Sequence, residues 1–335
     1  MKKFAALILA LMMVLSLVAC GAKEKTTDTP EPTTAPAGEQ EGNTEAKGLE
    51  GIKVGFAQMD NSNSWRIAET DDMQAKLKAA GIEVIYSDAG ADTAKQASDV
   101  EDMVAQGVDY IVLPPQEEDG LQGALKSAMD AGIPVILIDR GVNGEVGVDY
   151  TTAIMSDFVW EGEQVGKKIV EQTGGEGNVV ILQGTQGATS TIDRQEGFMK
   201  AIEGSKLTIV ADQTANYVMS EAQSVMENII QANGDNIDVV YCHNDDMAIG
   251  AIAALKAAGY KPGVDVFVAG VDGSAAAMEA ILAGEMLTTA SCSPFFGDIV
   301  IETITKLEAG EEIPESIVNV DTLFDINNAD VSLGF

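Results

Sequence analysis

The segment Asp238-Val-Val-Tyr-Cys-His-Asn-Asp-Asp-Met-Ala-Ile-Gly250 combines a strand, a polar turn and the start of a helix. Val239–Tyr241 is apolar, rich in β-favouring residues and without polar alternation, as expected for a parallel strand covered on both faces. From Met247 the apolar residues follow helical spacing, and Gly259 marks the end of that helix. A buried strand that leads directly into a helix predicts an α/β fold with a parallel sheet.

The turn between this strand and this helix carries three consecutive polar residues, Asn244, Asp245 and Asp246. One of them can cap the helix by accepting a hydrogen bond from its free N–H groups, and capping alone is the simpler interpretation. Three polar groups exceed what one cap needs, and ligands of open α/β sheets bind at the carboxyl ends of the strands. We therefore predict that Asn244 faces a ligand and that Asp245 or Asp246 is the cap.

The alternation of strand and helix runs through the chain twice. It begins at Gly51, pauses around residues 141–150 and then restarts. Strict alternation is typical of parallel sheets with helices on both faces. Because 335 residues are enough for two domains, two doubly wound, Rossmann-like lobes are favoured over one very large sheet.

The first fifty residues have the composition of an export signal followed by a tether. Lys2 and Lys3 precede a long apolar run, which is the pattern of a secretory signal peptide, and Cys20 directly after Leu-Val-Ala resembles a bacterial lipobox. We expect residues 1–19 to be a signal peptide, Cys20 to carry lipid, and residues 20–50 to be a disordered linker rich in Thr, Pro and Glu. The alternative is a plain signal peptide with an incidental cysteine. The protein is thus expected to be extracytoplasmic and anchored to the cell membrane by lipid.

Several function classes are disfavoured by composition and by missing motifs. The net charge of −33 argues against nucleic acid as a partner. No phosphate-binding loop or dinucleotide fingerprint is present, and His243, the one histidine, is interpreted as structural rather than as part of a triad. Asp325–Asn328 lacks the glycine and the distal glutamate of a calcium loop. We therefore predict no catalytic residue, no metal and no cofactor. Cys242 and Cys292 could form a bridge or remain buried thiols, and thiols are favoured.

Arginine is rare in this chain and lies at distinctive positions. Of the 20 basic residues only Arg66, Arg140 and Arg194 are arginines, and each lies near the point where a predicted strand gives way to a helix. The planar guanidinium offers paired donors that suit hydroxyl or carboxylate oxygens, and Asp139 and Asp193 are adjacent acceptors. We predict that the arginines bind a ligand. The alternative is three surface ion pairs, each worth ~0–1 kcal/mol.

Four further residues are predicted at the same edge of the sheets. Trp65 could present an aromatic plate to the C–H face of a sugar and keep its N–H available as a donor, or it could simply pack a helix. Asn63, Tyr217 and Asp272 would complete a ring of hydrogen-bonding groups. For Asp272 the alternative is a turn and cap in the sequence Asp-Gly-Ser.

Five segments together carry a specific resemblance to a known family. They are Asn63-Ser-Trp65-Arg66, Leu137-Ile-Asp139-Arg140, Gly184-Thr185-Gln-Gly187-Ala188 through Asp193-Arg194-Gln-Glu-Gly197-Phe198, His243-Asn244-Asp245-Asp246-Met247-Ala-Ile-Gly250, and Gly270-Val-Asp272-Gly273. From about Gly51 to the C-terminus the chain resembles the type I periplasmic sugar-binding proteins, the solute receptors of ABC transporters. The ribose- and galactofuranose-binding members are the most similar to it.

The resemblance implies two lobes joined by a three-crossing hinge, with a monosaccharide in the cleft between them. The implied N-terminal lobe comprises residues 51–155 plus about 293–323, and the C-terminal lobe comprises residues 156–292 plus about 324–335. The implied partners are the membrane subunits of an ABC permease, and the receptor itself is expected to be a monomer. The implied ligand-binding residues are Asn63, Trp65, Arg66, Asp139, Arg140, Arg194, Tyr217, Asn244 and Asp272.

The candidate residues also indicate a ligand class. The three arginines are matched by a similar number of aspartates. This near-balance of positive and negative charge suits a neutral, hydroxyl-rich molecule. Pro114 and the Ser291-Cys292 region differ from the ribose-binding pattern, which favours another pentose or a hexose, in furanose form. We predict a sugar receptor that delivers to a permease. The alternatives are a sensory sugar-binding lipoprotein and a secreted carbohydrate-active enzyme that would use Asp139 and Asp272 as paired carboxylates.

Overall fold

A computed structural model describes residues 48–335. The predicted signal peptide, the predicted lipid attachment at Cys20 and nearly all of the predicted linker lie outside these residues. Within residues 48–335 no helix is long and apolar enough to cross a membrane.

The first lobe is built on a six-stranded sheet in which every paired strand is parallel. Its strand order is β11-β5-β4-β3-β1-β2. The strands are β1 (Lys53–Gln58), β2 (Glu83–Asp88), β3 (Tyr110–Leu113), β4 (Val135–Ile138), β5 (Thr152–Ser156) and β11 (Ser316–Asn319). The helices are α1 (Ser64–Ala79), α2 (Thr93–Gln106), α3 (Gln122–Asp130) and α9 (Gly297–Glu308).

The second lobe repeats this plan, with the order β12-β10-β9-β8-β6-β7. Only the two-residue edge strand β12 is antiparallel to its neighbour. The strands are β6 (Glu176–Gln183), β7 (Lys206–Thr214), β8 (Val239–Cys242), β9 (Phe267–Asp272), β10 (Thr288–Ser291) and β12 (Leu323–Phe324). The helices are α4 (Phe158–Thr173), α5 (Thr189–Ile202), α6 (Met219–Asn233), α7 (Asp245–Ala257), α8 (Ala275–Leu282) and a short 3₁₀ turn (Val331–Leu333).

The chain passes between the two sheets three times: after β5, after β10 and after β11. Two parallel α/β lobes joined by three crossings confirm the predicted fold class. The central strands β3, β4 and β8 are wholly buried, which explains their continuous apolar sequence. The parallel sheets also bring the carboxyl ends of their strands to the edge of each lobe that faces the other, where the candidate residues lie.

Candidate ligand-binding site

A cavity of about 290 Å³ lies between the two lobes at the carboxyl ends of their strands. All nine residues predicted for ligand binding line it, and Ser190 and Cys292 join them. The first lobe supplies Asn63, Trp65, Arg66, Asp139 and Arg140, and the second lobe or its connection supplies Ser190, Arg194, Tyr217, Asn244, Asp272 and Cys292. The structure thus brings together residues that are more than 200 positions apart in the chain.

In the first lobe, Arg66 is the centre of a buried ionic network. Its Nη1 lies 2.7 Å from Glu69 Oε2, and its Nη2 pairs with Asp139 Oδ2. The contact between Arg140 Nε and Asp139 Oδ2 is longer, at 3.5 Å, while Arg140 Nη1 donates to the carbonyl of Gln116. Asp139 is therefore an acceptor for Arg140, as predicted, but its shorter ion pair is with Arg66.

In the second lobe, Arg194 has a comparable network. Its Nε lies 2.7 Å from Glu161 Oε2, its Nη1 donates to the carbonyl of His243, and its Nη2 lies 3.8 Å from Asp272 Oδ1. Asp193, which we expected to be the acceptor for Arg194, makes no ion pair with it in the described part of the chain. The reason is geometric, because adjacent helical residues point in different directions.

Close packing of two helices holds Arg194 next to Glu161. A Cβ at Gly162 of α4 would lie 2.1 Å from the carbonyl oxygen of Arg194, and a Cβ at Gly197 of α5 would lie 2.0 Å from the carbonyl oxygen of Val159. Both contacts involve backbone atoms, so only glycine permits this approach. The two glycines therefore allow α4 and α5 to approach closely enough for Glu161 to pair with Arg194.

The polar turn after β8 differs from the prediction. Asn244 itself caps α7, because its Oδ1 accepts from the backbone N–H of Met247, although it also lines the cavity. Asp245 accepts from the N–H of Ser274 and from the hydroxyl of Thr289 instead. The helix begins at Asp245, two residues before its apolar pattern indicated, which moves the cap to Asn244.

Trp65 is buried in the cavity wall, but its N–H is not available to a ligand. The indole Nε1 donates to the carbonyl of Cys292 at 2.7 Å, so this part of the prediction is wrong. One ring face is covered by the Arg66 guanidinium, whose carbon lies 4.6 Å from the ring centroid, and the edge packs on Phe296. Asn63 in turn caps α1 by accepting from the N–H of Arg66.

Tyr217 lies between Arg140 of the first lobe and Arg194 of the second lobe. Its ring centroid is 5.3 Å from the guanidinium carbon of Arg140 and 6.0 Å from that of Arg194. Its hydroxyl is held within hydrogen-bonding distance of the hydroxyls of Ser190 and Thr191. The ring consequently presents its face, rather than its hydroxyl, between the two cations.

Three cavity residues have backbone angles that side chains rarely adopt. Asp139, Tyr217 and Asp272 have φ values of 59°, 63° and 132°. Each such conformation costs of the order of 1–3 kcal/mol and is typical of functional sites. The outliers support the prediction that these three side chains serve a ligand.

Burial changes the acidity of several groups around the cavity. It raises the pKa of Glu69 to about 7 and that of Glu161 to about 8, and the neighbouring arginines oppose the shift in each case. Burial also raises the pKa of Asp272 well above its usual range, against the smaller effect of Arg194. The pKa of His243 is lowered to about 3 by burial and by Arg194, so this ring is neutral at pH 7.

Contacts outside the cavity wall join the lobes around it. Asp246 accepts from the backbone N–H of Ser64 at 3.0 Å and from its hydroxyl at 3.1 Å. A second bridge runs from the N–H of Glu118 to the carbonyl of Gly187 at 2.9 Å. The lobes are thus closed around the cavity and are held on two sides by groups that lie outside the cavity lining.

The described residues, 48–335, include neither a cluster of metal-ligating side chains nor a disulfide. No cluster of three or more His, Cys, Asp or Glu side chains suited to a metal ion occurs within residues 48–335. Cys242 and Cys292 are free, buried thiols. The cavity therefore offers guanidinium donors, carboxylate acceptors and aromatic surface, which together suit a polar organic molecule.

Comparison with known proteins assigns the family. Residues 54–312 match the family described as periplasmic binding protein domain, and the chain belongs to this family. It is 36% identical to the galactofuranose-binding protein YtfQ of Escherichia coli (strain K12) over 79% of this chain and 85% of that protein. It is 32% identical to the ribose import binding protein RbsB of Bacillus subtilis (strain 168) over 79% of this chain and 84% of that protein.

A solved structure shows the same relationship in three dimensions. The periplasmic binding protein component of the arabinose ABC transporter from Shewanella sp. ANA-3, bound to α- and β-L-arabinofuranose, superimposes with a TM-score of 0.80. The two are 34% identical, and the match covers 83% of this chain and 93% of that one. These relatives confirm the resemblance to the type I periplasmic sugar-binding proteins. They are binding proteins rather than enzymes, so the alternative of a carbohydrate-active enzyme is set aside.

Proposed function

We propose that this protein is the extracytoplasmic receptor of an ABC sugar importer, which binds one monosaccharide between its lobes and delivers it to the membrane permease. The observation that carries the proposal is the interlobe cavity, to which both lobes contribute arginine and aspartate side chains. A ligand touched by both lobes binds the closed state more tightly than the open one, and this difference drives closure.

The cavity chemistry favours a small, neutral polyol. The cavity lining is rich in polar side chains, and both lobes supply arginine and aspartate to it. Sugar hydroxyls both donate and accept hydrogen bonds, so they can satisfy Asp139 and Asp272 as well as the three arginines. The faces of Trp65 and Tyr217 can pack on the C–H surface of a sugar ring.

The relatives support both the ligand class and the transport role. One is named for galactofuranose and another is bound to arabinofuranose, so we infer that this chain also takes a pentose or hexose in furanose form. One relative is an import binding protein and another is a component of an ABC transporter. On this basis the partner of the receptor is the membrane part of such a transporter.

The nine predicted side chains are proposed as the ligand-binding set, and Cys20 is proposed as the site of lipid attachment. A lipid at Cys20 would keep the receptor close to the permease, and stable anchoring needs more than one acyl chain. Fractionation of cells that express Cys20→Ser tests this part separately. The variant should be released from the membrane fraction, and retention there would contradict the anchor.

Calorimetric titration of the purified protein with a panel of pentoses, hexoses, nucleosides and amino acids tests the binding function. We expect one sugar to bind with a stoichiometry of one and a dissociation constant of about 1 µM or lower, which corresponds to about 8 kcal/mol. Arg140→Met removes a guanidinium from the cavity wall and should weaken binding. Lys95→Met removes an exposed cation far from the cavity wall and serves as the control. Binding of an amino acid or nucleoside without any response to sugars would refute the proposal.

A further inference from the structure

Each lobe contains a buried glutamate beside its cavity arginine. Glu69 follows Arg66 by one turn of α1, and Glu161 lies in the first turn of α4 beside Arg194. Both glutamates are fully buried. In each, one carboxylate oxygen lies 2.7 Å from a guanidinium nitrogen. Neither glutamate lines the cavity.

The second oxygen of each carboxylate, Oε1, is buried and lacks a strong hydrogen-bond donor within residues 48–335. For Glu161 the one nearby side-chain donor in these residues is the weakly donating thiol of Cys292. The unpaired oxygen makes burial of each carboxylate costly, although its paired oxygen offsets the buried charge of the arginine. A buried ion pair of this kind is weak evidence of a role in stability. Fold stability alone therefore does not explain a glutamate at either position, so a role in the site is the more economical explanation.

The geometry shows what the glutamates do for the arginines. Glu161 engages Nε of Arg194, and the carbonyl of His243 engages Nη1, which leaves Nη2 directed towards Asp272. Arg140 is the contrasting case, because its buried Nε has no hydrogen-bond partner within the same residues and no glutamate pairs with it. The two supported guanidinium groups are fixed at the cavity wall before any ligand arrives, which reduces the cost of binding.

We propose that Glu161 and Glu69 are positioning residues, which fix Arg194 and Arg66 in the orientation that the ligand requires without touching the ligand. This inference rests on the proposed sugar-binding function. It requires the two carboxylates to be ionised in the complex, so binding and ionisation are linked.

The surroundings of the two carboxylates set the pH range in which this linkage acts. Glu161 faces Arg194 on α5, Asp272 at the end of β9, Cys292 after β10 and Asp321 in the third crossing. Glu69 faces Arg66 and Asp139. Burial raises the pKa of Glu161 to about 8 and that of Glu69 to about 7. The affinity for sugar should consequently rise between pH 6 and pH 9 as the two groups lose their protons.

The test compares Glu161→Gln and Glu69→Gln with Glu163→Gln. Glu163 is on the same helix as Glu161 but pairs with Lys167 and Lys200 on its outer side. At pH 9 we expect each buried variant to lose about 10- to 100-fold in sugar affinity, the scale of one hydrogen bond to a charged group. Their melting temperatures without sugar should be unchanged or higher, and the rise of affinity with pH should be reduced. Glu163→Gln should behave as the wild type.

Two outcomes would overturn the positioning role. One is an unchanged affinity and pH profile in both buried variants. The other is a loss of affinity that is matched by a fall in melting temperature, which indicates a structural role.

If the wild type binds no sugar, the proposed function fails, and NMR of the free protein decides the positioning role separately. The Nε–H resonance of Arg194 should titrate near pH 8 and lose this titration in Glu161→Gln. An Arg194 Nε–H resonance that is independent of pH would contradict the positioning role of Glu161.

Discussion

The contact between Asp246 and Ser64 should control sugar affinity without contacting the sugar. Asp246 of the second lobe accepts two hydrogen bonds from Ser64 of the first lobe, at 3.0 and 3.1 Å, and neither residue lines the cavity. These bonds require the lobes to be together, so they stabilise the closed state only. We therefore predict that Asp246→Asn weakens the binding of every sugar by the same factor.

The magnitude follows from the two bonds. A hydrogen bond to a charged group contributes roughly 1.5–3 kcal/mol. Ser64 is exposed and asparagine can keep one weaker bond, so a total loss near the lower value is expected. Because each 1.4 kcal/mol is about tenfold in affinity, the dissociation constant should rise by about 10- to 30-fold. Most of this change should be in the rate of sugar release.

Calorimetry with two different sugars and stopped-flow measurement of sugar release provide the readout. Asp71→Asn is the matched control, because Asp71 is an exposed carboxylate on α1. Equal dissociation constants for Asp246→Asn and the wild type would refute the reasoning. A change in the ratio of the two affinities would refute it as well, since that result requires Asp246 to sense the ligand directly.

Three further predictions concern stability and the cavity wall. Trp65→Phe removes the donor to the buried Cys292 carbonyl and should lower the free energy of unfolding, measured in urea, by ~1–3 kcal/mol. An unchanged free energy of unfolding would show that this hydrogen bond contributes nothing to stability. In Gly184→Ala the new Cβ would lie 1.9 Å from the Tyr217 ring. We expect this clash to destabilise the fold by ~1–3 kcal/mol and to weaken sugar binding measured by calorimetry. A wild-type affinity for sugar would contradict the packing argument. The pKa of Glu161 rises on folding from 4.5 to about 8, so its contribution to stability is present below pH 4.5 and is lost as the pH rises through 8. The urea midpoint should therefore fall between about pH 5 and pH 8 and change little above pH 8, and this fall should be smaller in Glu161→Gln. Identical pH profiles would refute this assignment.

The two lobes could be predicted from the sequence, but three of their strands could not. Strand and helix alternate locally, and the buried strand β8 with its turn and helix can be recognised within a dozen residues. Strands β5, β11 and β12 were not predicted, because each becomes a strand only by pairing with other segments of the chain. Ser316 of β11 pairs with Ala153 of β5, and no local pattern records such a partner.

The residues that line the cavity could be predicted from local sequence patterns. The ion-pair networks of the arginines could not. Parallel strands end at one edge, so polar residues after strands converge there. The partners of Arg140 and Arg194 were sought among sequence neighbours, whereas Glu161 reaches Arg194 from another helix where two glycines allow close packing. The sequence does place Glu161 on the buried face of an amphipathic helix. Its partner Arg194 is identified only once α4 and α5 are packed together.

The most direct test of the account is a crystal structure of the protein with the tightest-binding monosaccharide. We predict that the sugar lies between the lobes, with its hydroxyls bonded to Asp139 and Arg140 from the first lobe and to Arg194 and Asp272 from the second. A sugar bound elsewhere, or held by one lobe alone, would contradict the central claim that the interlobe cavity is the receptor site.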